Sequence, residues 1–176
     1  MQNNGDSPFV GRSHELDVLE GCAVAAQSKG SRTVLIEGPA GIGKTALVSA
    51  FAERVCNVSP LIVTGDEDET ELSFGVCRQL IRGEPVSVWR DPFDAGADLV
   101  RVLGDQPDEA PAVLIVDDTH LADLGSLRAI TFALRRLRTD GLVVVLTVRP
   151  DGLARLPSGL VRLVRERAER GSVFPD

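Results

Sequence analysis

Gly38-Pro39-Ala40-Gly41-Ile42-Gly43-Lys44-Thr45 fits the pattern G-x-x-x-x-G-K-[ST] at every fixed position. The chemistry of such a segment is anion capture. Its glycines let the backbone curl so that successive N–H groups point inward as a cup. A helix that follows adds its positive end. Gly38, Ala40, Gly41, Ile42, Gly43, Lys44, Thr45 and Ala46 are therefore the expected phosphate-binding residues. Lys44 would set a point charge on the β- and γ-phosphates of ATP or ADP, and the Thr45 hydroxyl would ligate Mg²⁺. Lys29 and Lys44 are the only lysines among 19 basic residues, so a lysine at this position stands out.

A second constellation lies downstream. The apolar run Ala112-Val113-Leu114-Ile115-Val116 ends in Asp117-Asp118. A strand that ends in a carboxylate, downstream of a phosphate-binding loop, can complete a magnesium site. Asp117 would hold Mg²⁺ opposite Thr45. Asp118 would orient or deprotonate the attacking water. The next apolar run, Leu142–Val148, ends in Thr147-Val148-Arg149. Neighbouring parallel strands deliver their carboxyl ends to one crevice. Arg149, and Thr147 by hydrogen bonding, would then sense the γ-phosphate; the plainer reading of Arg149 is a loop residue before Pro150. His120 lies three residues past Asp117, where the default role of a lone histidine is packing or turn formation.

These groups need elements to position them. Thr33–Glu37 reads as a short buried strand. Ala46–Val55 reads as a helix with Leu47, Val48, Phe51 and Val55 on one face. Ser13 is placed to cap a helix to about 28 with Leu16, Leu19, Ala23 and Ala26 on one face. Leu61–Thr64 is a further strand, followed by an acidic loop from Gly65 to Glu71 read as a solvated connection. Helices are expected over about 73–82, 92–103 and 157–170. Asp123 is placed to cap a long helix to about 138, with the stripe Leu124, Leu127, Ile130, Leu134 and Leu137; Arg128, Arg135, Arg136 and Arg138 lie off it. The runs over 112–116 and 142–148 are continuous apolar strands of parallel-sheet type. Strands alternating with helices predict a three-layer α/β phosphate-loop fold with a parallel sheet. The expected organisation is a flexible tail over 1–8, one nucleotide-binding domain over 9–170, and a tail over 171–176.

Composition narrows the classes. Hydrophobic content is 43%, enough for a core, but aromatics are 4%, so Leu, Val, Ala and Ile must fill it. Net charge is −7, the wrong sign for a duplex-binding surface, so no direct DNA binding is expected. Cys22, Cys56 and Cys77 are few, odd in number and far apart, which predicts reduced thiols in a cytoplasmic protein. No apolar run reaches membrane-spanning length, so no membrane partner is expected.

Together, Phe9-Val10-Gly11-Arg12 with Glu15-Leu16, the Gly38–Thr45 loop, Val113–Asp123 and Thr147-Val148-Arg149 resemble the nucleotide-binding domain of STAND-type, AAA-like ATPases. Within these, the chain is most similar to the large ATP-binding LuxR-family regulators, the MalT-like group, and Ser73–Leu80 looks typical of it. The resemblance covers residues 9–150. It implies an ATP-binding, slowly hydrolysing switch, with Val10, Gly11 and Arg12 near the adenine. It implies self-association of the intact protein, and DNA contact through a helix-turn-helix outside this chain. Two positions depart from the pattern: Leu121 stands where Trp is frequent, and Asp118 where Glu is. Asp is one methylene shorter, which predicts slow turnover. The usual fifth strand has no candidate after Arg149 except Ser172–Phe174, which predicts an open edge along Thr33–Glu37 and a chain that is a fragment of a larger regulator. The alternatives are a small-molecule kinase and a nucleotide-binding interaction module without turnover.

Overall fold

The computed structural model describes residues 12–55, 60–81, 88–104, 111–137 and 141–167. Val10, Gly11, Cys56, Arg138 and the 172–174 strand candidate lie outside them. The apolar runs become strands β1 (Arg32–Glu37), β2 (Leu61–Thr64), β3 (Ala112–Asp117) and β4 (Leu142–Val148) of one parallel sheet. The order across the sheet is β1-β4-β3-β2. The last strand in sequence thus lies between the strand that enters the glycine loop and the strand that ends in Asp117. β1 pairs with β4 on one side and with no other strand among the described residues; the 172–174 candidate for a further strand lies outside them.

The physical cause of the three layers is visible in β3 and β4, which are buried at every position. Val113, Ile115, Val143 and Val145 face helices α1 (Ser13–Lys29) and α2 (Lys44–Arg54), packing against Leu16, Leu19, Leu47 and Phe51. Leu114, Val116, Val144 and Leu146 face the opposite layer, formed by α3 (Gly75–Leu80), α4 (Pro92–Gly104), α5 (Leu124–Arg136) and α6 (Ser158–Arg167). Both faces are therefore covered, as all-parallel sheets require. The predicted faces of α1 and α2 are the buried ones, except that Val55 is half-buried and caps α2 from just past its end. Arg128, Arg135 and Arg136 are exposed.

Three details differ from expectation. Ser13 is the first helical residue of α1, not its cap; Arg12 precedes the helix and makes no side-chain cap bond. Leu124 is 48% exposed rather than part of the stripe; the first turn of α5 is fixed instead by hydrogen bonds that Asp123 accepts from the Ser126 and Leu127 N–H groups. Finally, α3 starts at Gly75, two residues later than Ser73.

Asp123 explains the last two. Its Oδ1 accepts the Ser126 N–H at 2.8 Å, the predicted cap of α5. The same oxygen accepts the Phe74 N–H at 2.9 Å, and Oδ2 accepts the Val76 N–H at 3.4 Å. Ser126 Oγ accepts the Cys77 N–H at 3.0 Å. One buried carboxylate thus caps two helices and ties the segment after β2 to the segment after β3. Asp123→Ala removes the cap of α5 and strands two further backbone donors. The expected cost is roughly 2–4 kcal/mol in denaturant unfolding. Asp123→Asn keeps an Oδ1 acceptor and is expected to lose less. A loss within about 0.5 kcal/mol for the alanine variant, the scatter of ordinary surface changes, would show that Asp123 does not tie these helices.

Candidate functional site

β1 delivers its carboxyl end to the glycine loop, where Gly38 N–H donates to Val148 O at 3.1 Å. The loop then turns through two left-handed residues, Gly41 at φ +76° and Gly43 at φ +93°. Side chains beyond glycine are strained there, so the motif's fixed glycine at 43 is demanded by backbone geometry. Gly43 leads directly into α2, whose first two residues are Lys44 and Thr45.

Lys44 is buried, and its Nζ donates to Gly38 O at 2.9 Å and Pro39 O at 3.1 Å. The ammonium is thereby held at the base of the loop. Thr45 Oγ1 donates to Asp117 Oδ2 at 2.6 Å across 72 residues of sequence. Thr147 Oγ1 donates to the other oxygen, Asp117 Oδ1. The Thr147 oxygen also accepts the Asp118 N–H at 2.8 Å. Thr147 is fully buried and bridges both aspartates, so the structure sets it beneath the site rather than in the groove. Sequence reasoning named Thr147 but not this bridging. The available signal was a single hydroxyl within the otherwise apolar run Leu142–Val148.

Asp118 has φ +45°, one of two non-glycine residues with positive φ among those described. Such strain is tolerated where surrounding bonds over-determine it; here the Thr147 oxygen holds its N–H. The turn aims Asp118 into a groove of about 420 Å³. Ala40, Gly41, Gly43, Lys44, Thr45 and Ala46 form one wall, and Asp118 and Arg149 the other. Residues far apart in sequence are thus gathered as expected at the carboxyl edge of the sheet. Arg149 follows β4, and its Nε is buried with no hydrogen-bond partner.

Gly38 and Ile42 support the loop from outside the groove lining. The Ile42 carbonyl accepts a hydrogen bond from Arg12 Nη2, and the Arg12 guanidinium lies 4.0 Å from where a Cβ on Gly43 would stand. Arg12 therefore braces the back of the loop.

His120 sits in the 3-10 turn Thr119–Leu121 directly after Asp118. It is buried, and burial lowers its pKa, opposed by the Asp118 carboxylate. Cys77 is buried on α3, away from the groove lining, with its thiol pushed up to about 12 by desolvation. No cluster of three or more metal-ligating His, Cys, Asp or Glu side chains occurs among the described residues. The donor set for a cation is instead the hard-oxygen pair Thr45 and Asp117, which suits Mg²⁺, an ion usually held by one or two carboxylates plus substrate phosphates. No helix among the described residues is long and apolar enough to cross a membrane.

Known proteins resemble this chain over most of its length. Over 151 residues the chain is 27% identical to DNA polymerase III subunit tau of Bacillus subtilis (strain 168), covering 80% of this chain and 25% of that protein. The chain thus spans about a quarter of that relative's length. Among solved structures, Cdc6p from Pyrobaculum aerophilum superposes with a TM-score of 0.63 at 14% identity, over 95% of this chain and 46% of that one. A chain of Drosophila ORC bound to DNA gives a TM-score of 0.56 at 18% identity, over 96% and 42%. At such identities these structures establish the fold alone. Residues 8–146, which hold the glycine loop, both aspartates and most of β4, match the family described as the AAA ATPase domain, and the chain belongs to that family.

Proposed function

We propose that the chain is the ATP-binding, slowly hydrolysing switch of a STAND-type, LuxR-family regulator. The observation that carries nucleotide binding and turnover is the groove itself. Its lining brings together an ammonium (Lys44), a guanidinium (Arg149) and a carboxylate (Asp118) beside the hydrogen-bonded Thr45–Asp117 pair. The regulator assignment is supported by the string Asp117-Asp118-Thr119-His120-Leu121-Ala122-Asp123 and by Thr147-Val148-Arg149.

In this reading the loop N–H groups and Lys44 take the β- and γ-phosphates. Lys44 exchanges its bonds to the Gly38 and Pro39 carbonyls for phosphate oxygens. Thr45 and Asp117 hold Mg²⁺, which supplies charge neutralisation to the phosphates when bound. Asp118 accepts a proton from, or orients, the attacking water. Arg149 faces the transferred phosphoryl group. Thr147 keeps the two carboxylates in register. By the resemblance, Val10, Gly11 and Arg12 would serve the adenine, and Arg12 also braces the loop through Ile42. Self-association and DNA contact follow from the regulator assignment.

The test is direct. Mg·ATP or Mg·ADP at about 100 times Kd is expected to add roughly 2.7 kcal/mol of stability, a Tm rise of roughly 5–10 °C. Slow phosphate release from ATP with no added acceptor separates a hydrolase from a kinase and from a silent binding module. No shift with either nucleotide overturns the reading.

A further inference from the structure

Asp118 poses a positioning problem. Its backbone is fixed by φ +45° and by the bond to Thr147. Its carboxylate is not: it makes no hydrogen bond to the described residues, and the titratable side chain beside it is His120, with Nδ1 3.9 Å from Oδ1. A carboxylate that handles water needs a defined rotamer.

His120 has the complementary problem. It is 6% exposed, and neither Nδ1 nor Nε2 has a hydrogen-bond partner. A neutral imidazole carries one donor and one acceptor, and leaving such groups buried and unpaired is costly, so each instance calls for an explanation. The ring is also locked in place. A Cβ on Gly152 would lie 2.5 Å from both Cβ and Cγ of His120, so only glycine admits the imidazole against the turn Pro150–Arg155. That turn begins directly after Arg149, and Gly152 N–H donates to Arg149 O at 2.9 Å. The charged groups acting on His120 are Asp118, Arg149, Asp151 and Lys44. The first two of these, with Lys44, are the charged groups of the groove.

We infer that His120 is a positioning residue for Asp118: its Nδ1–H closes onto Asp118 Oδ1 when the groove is filled and sets the carboxylate rotamer, with Gly152 holding the ring. The inference rests on the reading of Asp118 as the carboxylate that handles the attacking water. A separation of 3.9 Å is too long for a hydrogen bond, and catalytic hydrogen bonds are often long until the reactive complex forms.

Asn and Gln separate the two ring nitrogens. His120→Asn retains an amide donor close to the Nδ1 position, whereas His120→Gln moves it to the Nε2 position. His120→Gln is expected to slow single-turnover hydrolysis of Mg·ATP by about 10–100-fold, the scale of lost outer-shell partners, with Mg·ATP affinity little changed. His120→Asn is expected to recover most of the rate. Gly152→Ala is expected to reproduce the loss by displacing the imidazole while both partners keep their chemistry. A second readout is independent of turnover. The chain has two histidines, so ¹⁵N-histidine NMR with Mg·ADP and aluminium fluoride resolves His120, and the Nδ1–H tautomer with slowed exchange is expected. Wild-type rates in His120→Gln, or an Nε2–H tautomer in the filled site, overturn the inference. If His120→Gln fails to fold, the tautomer of the wild-type chain decides. If the wild-type chain binds Mg·ATP without releasing phosphate, the reading of Asp118 fails, and the tautomer still decides for His120.

Discussion

Lys44→Ala is expected to abolish the nucleotide-dependent rise in Tm while leaving a folded chain. The Lys44 ammonium is buried at the base of the loop, within reach of Gly38 O and Pro39 O. With phosphates in the groove, those contacts give way to charge-assisted bonds worth about 1.5–3 kcal/mol each. Losing two of them corresponds to about 10²–10⁴-fold in affinity. Stability without nucleotide changes far less, because the remaining loop bonds, including Gly38 N–H to Val148 O and Arg12 to Ile42 O, do not involve this side chain. Calorimetric titration with Mg·ATP checks it. Unchanged affinity would mean that the groove is not where the triphosphate sits.

Asp118→Asn separates binding from chemistry. The side chain lines the groove but bonds neither the loop nor the Thr45–Asp117 pair. Its backbone bond to Thr147 does not depend on the side chain. The variant is therefore expected to keep the Mg·ATP thermal shift and to lose about 10²–10⁴-fold in phosphate release, the usual contribution of a positioned general base. Retained turnover would assign that role to another group. Turnover in the parent chain is itself expected to be slow, because the Asp118 carboxylate is one methylene shorter than a glutamate.

The loop, the helix that follows it and the apolar faces of α1 and α2 were legible because each depends on neighbours in sequence: glycines at a turn, residues recurring at helical spacing. The cap of α5 at Asp123 was legible for the same reason. What Asp123 does for α3 was not. Its bonds to Phe74 and Val76 cross 49 and 47 residues, and no local pattern encodes a partner at that range. The exposure of Leu124 and the late start of α3 follow from this same tie. Arg12 was placed at the nucleotide by resemblance; its contact with Ile42 exists only because α1 packs beside α2.

The chain of residues alone determined that a phosphate loop stands between a strand and a helix, that two further strands end in Asp117-Asp118 and Thr147-Val148-Arg149, and that the sheet is parallel and covered on both faces. Tertiary structure decided that β4 lies between β1 and β3. That placement brings Thr147 against both aspartates and Arg149 to the groove. It also wedges Gly152 against His120. The reason is physical. Hydrophobic periodicity reports which side of an element is buried, and the continuous apolar runs of β3 and β4 suit central strands, but it does not say which central strand lies beside β1. Only the hydrogen bonds and close contacts at the carboxyl edge distinguish one order from another.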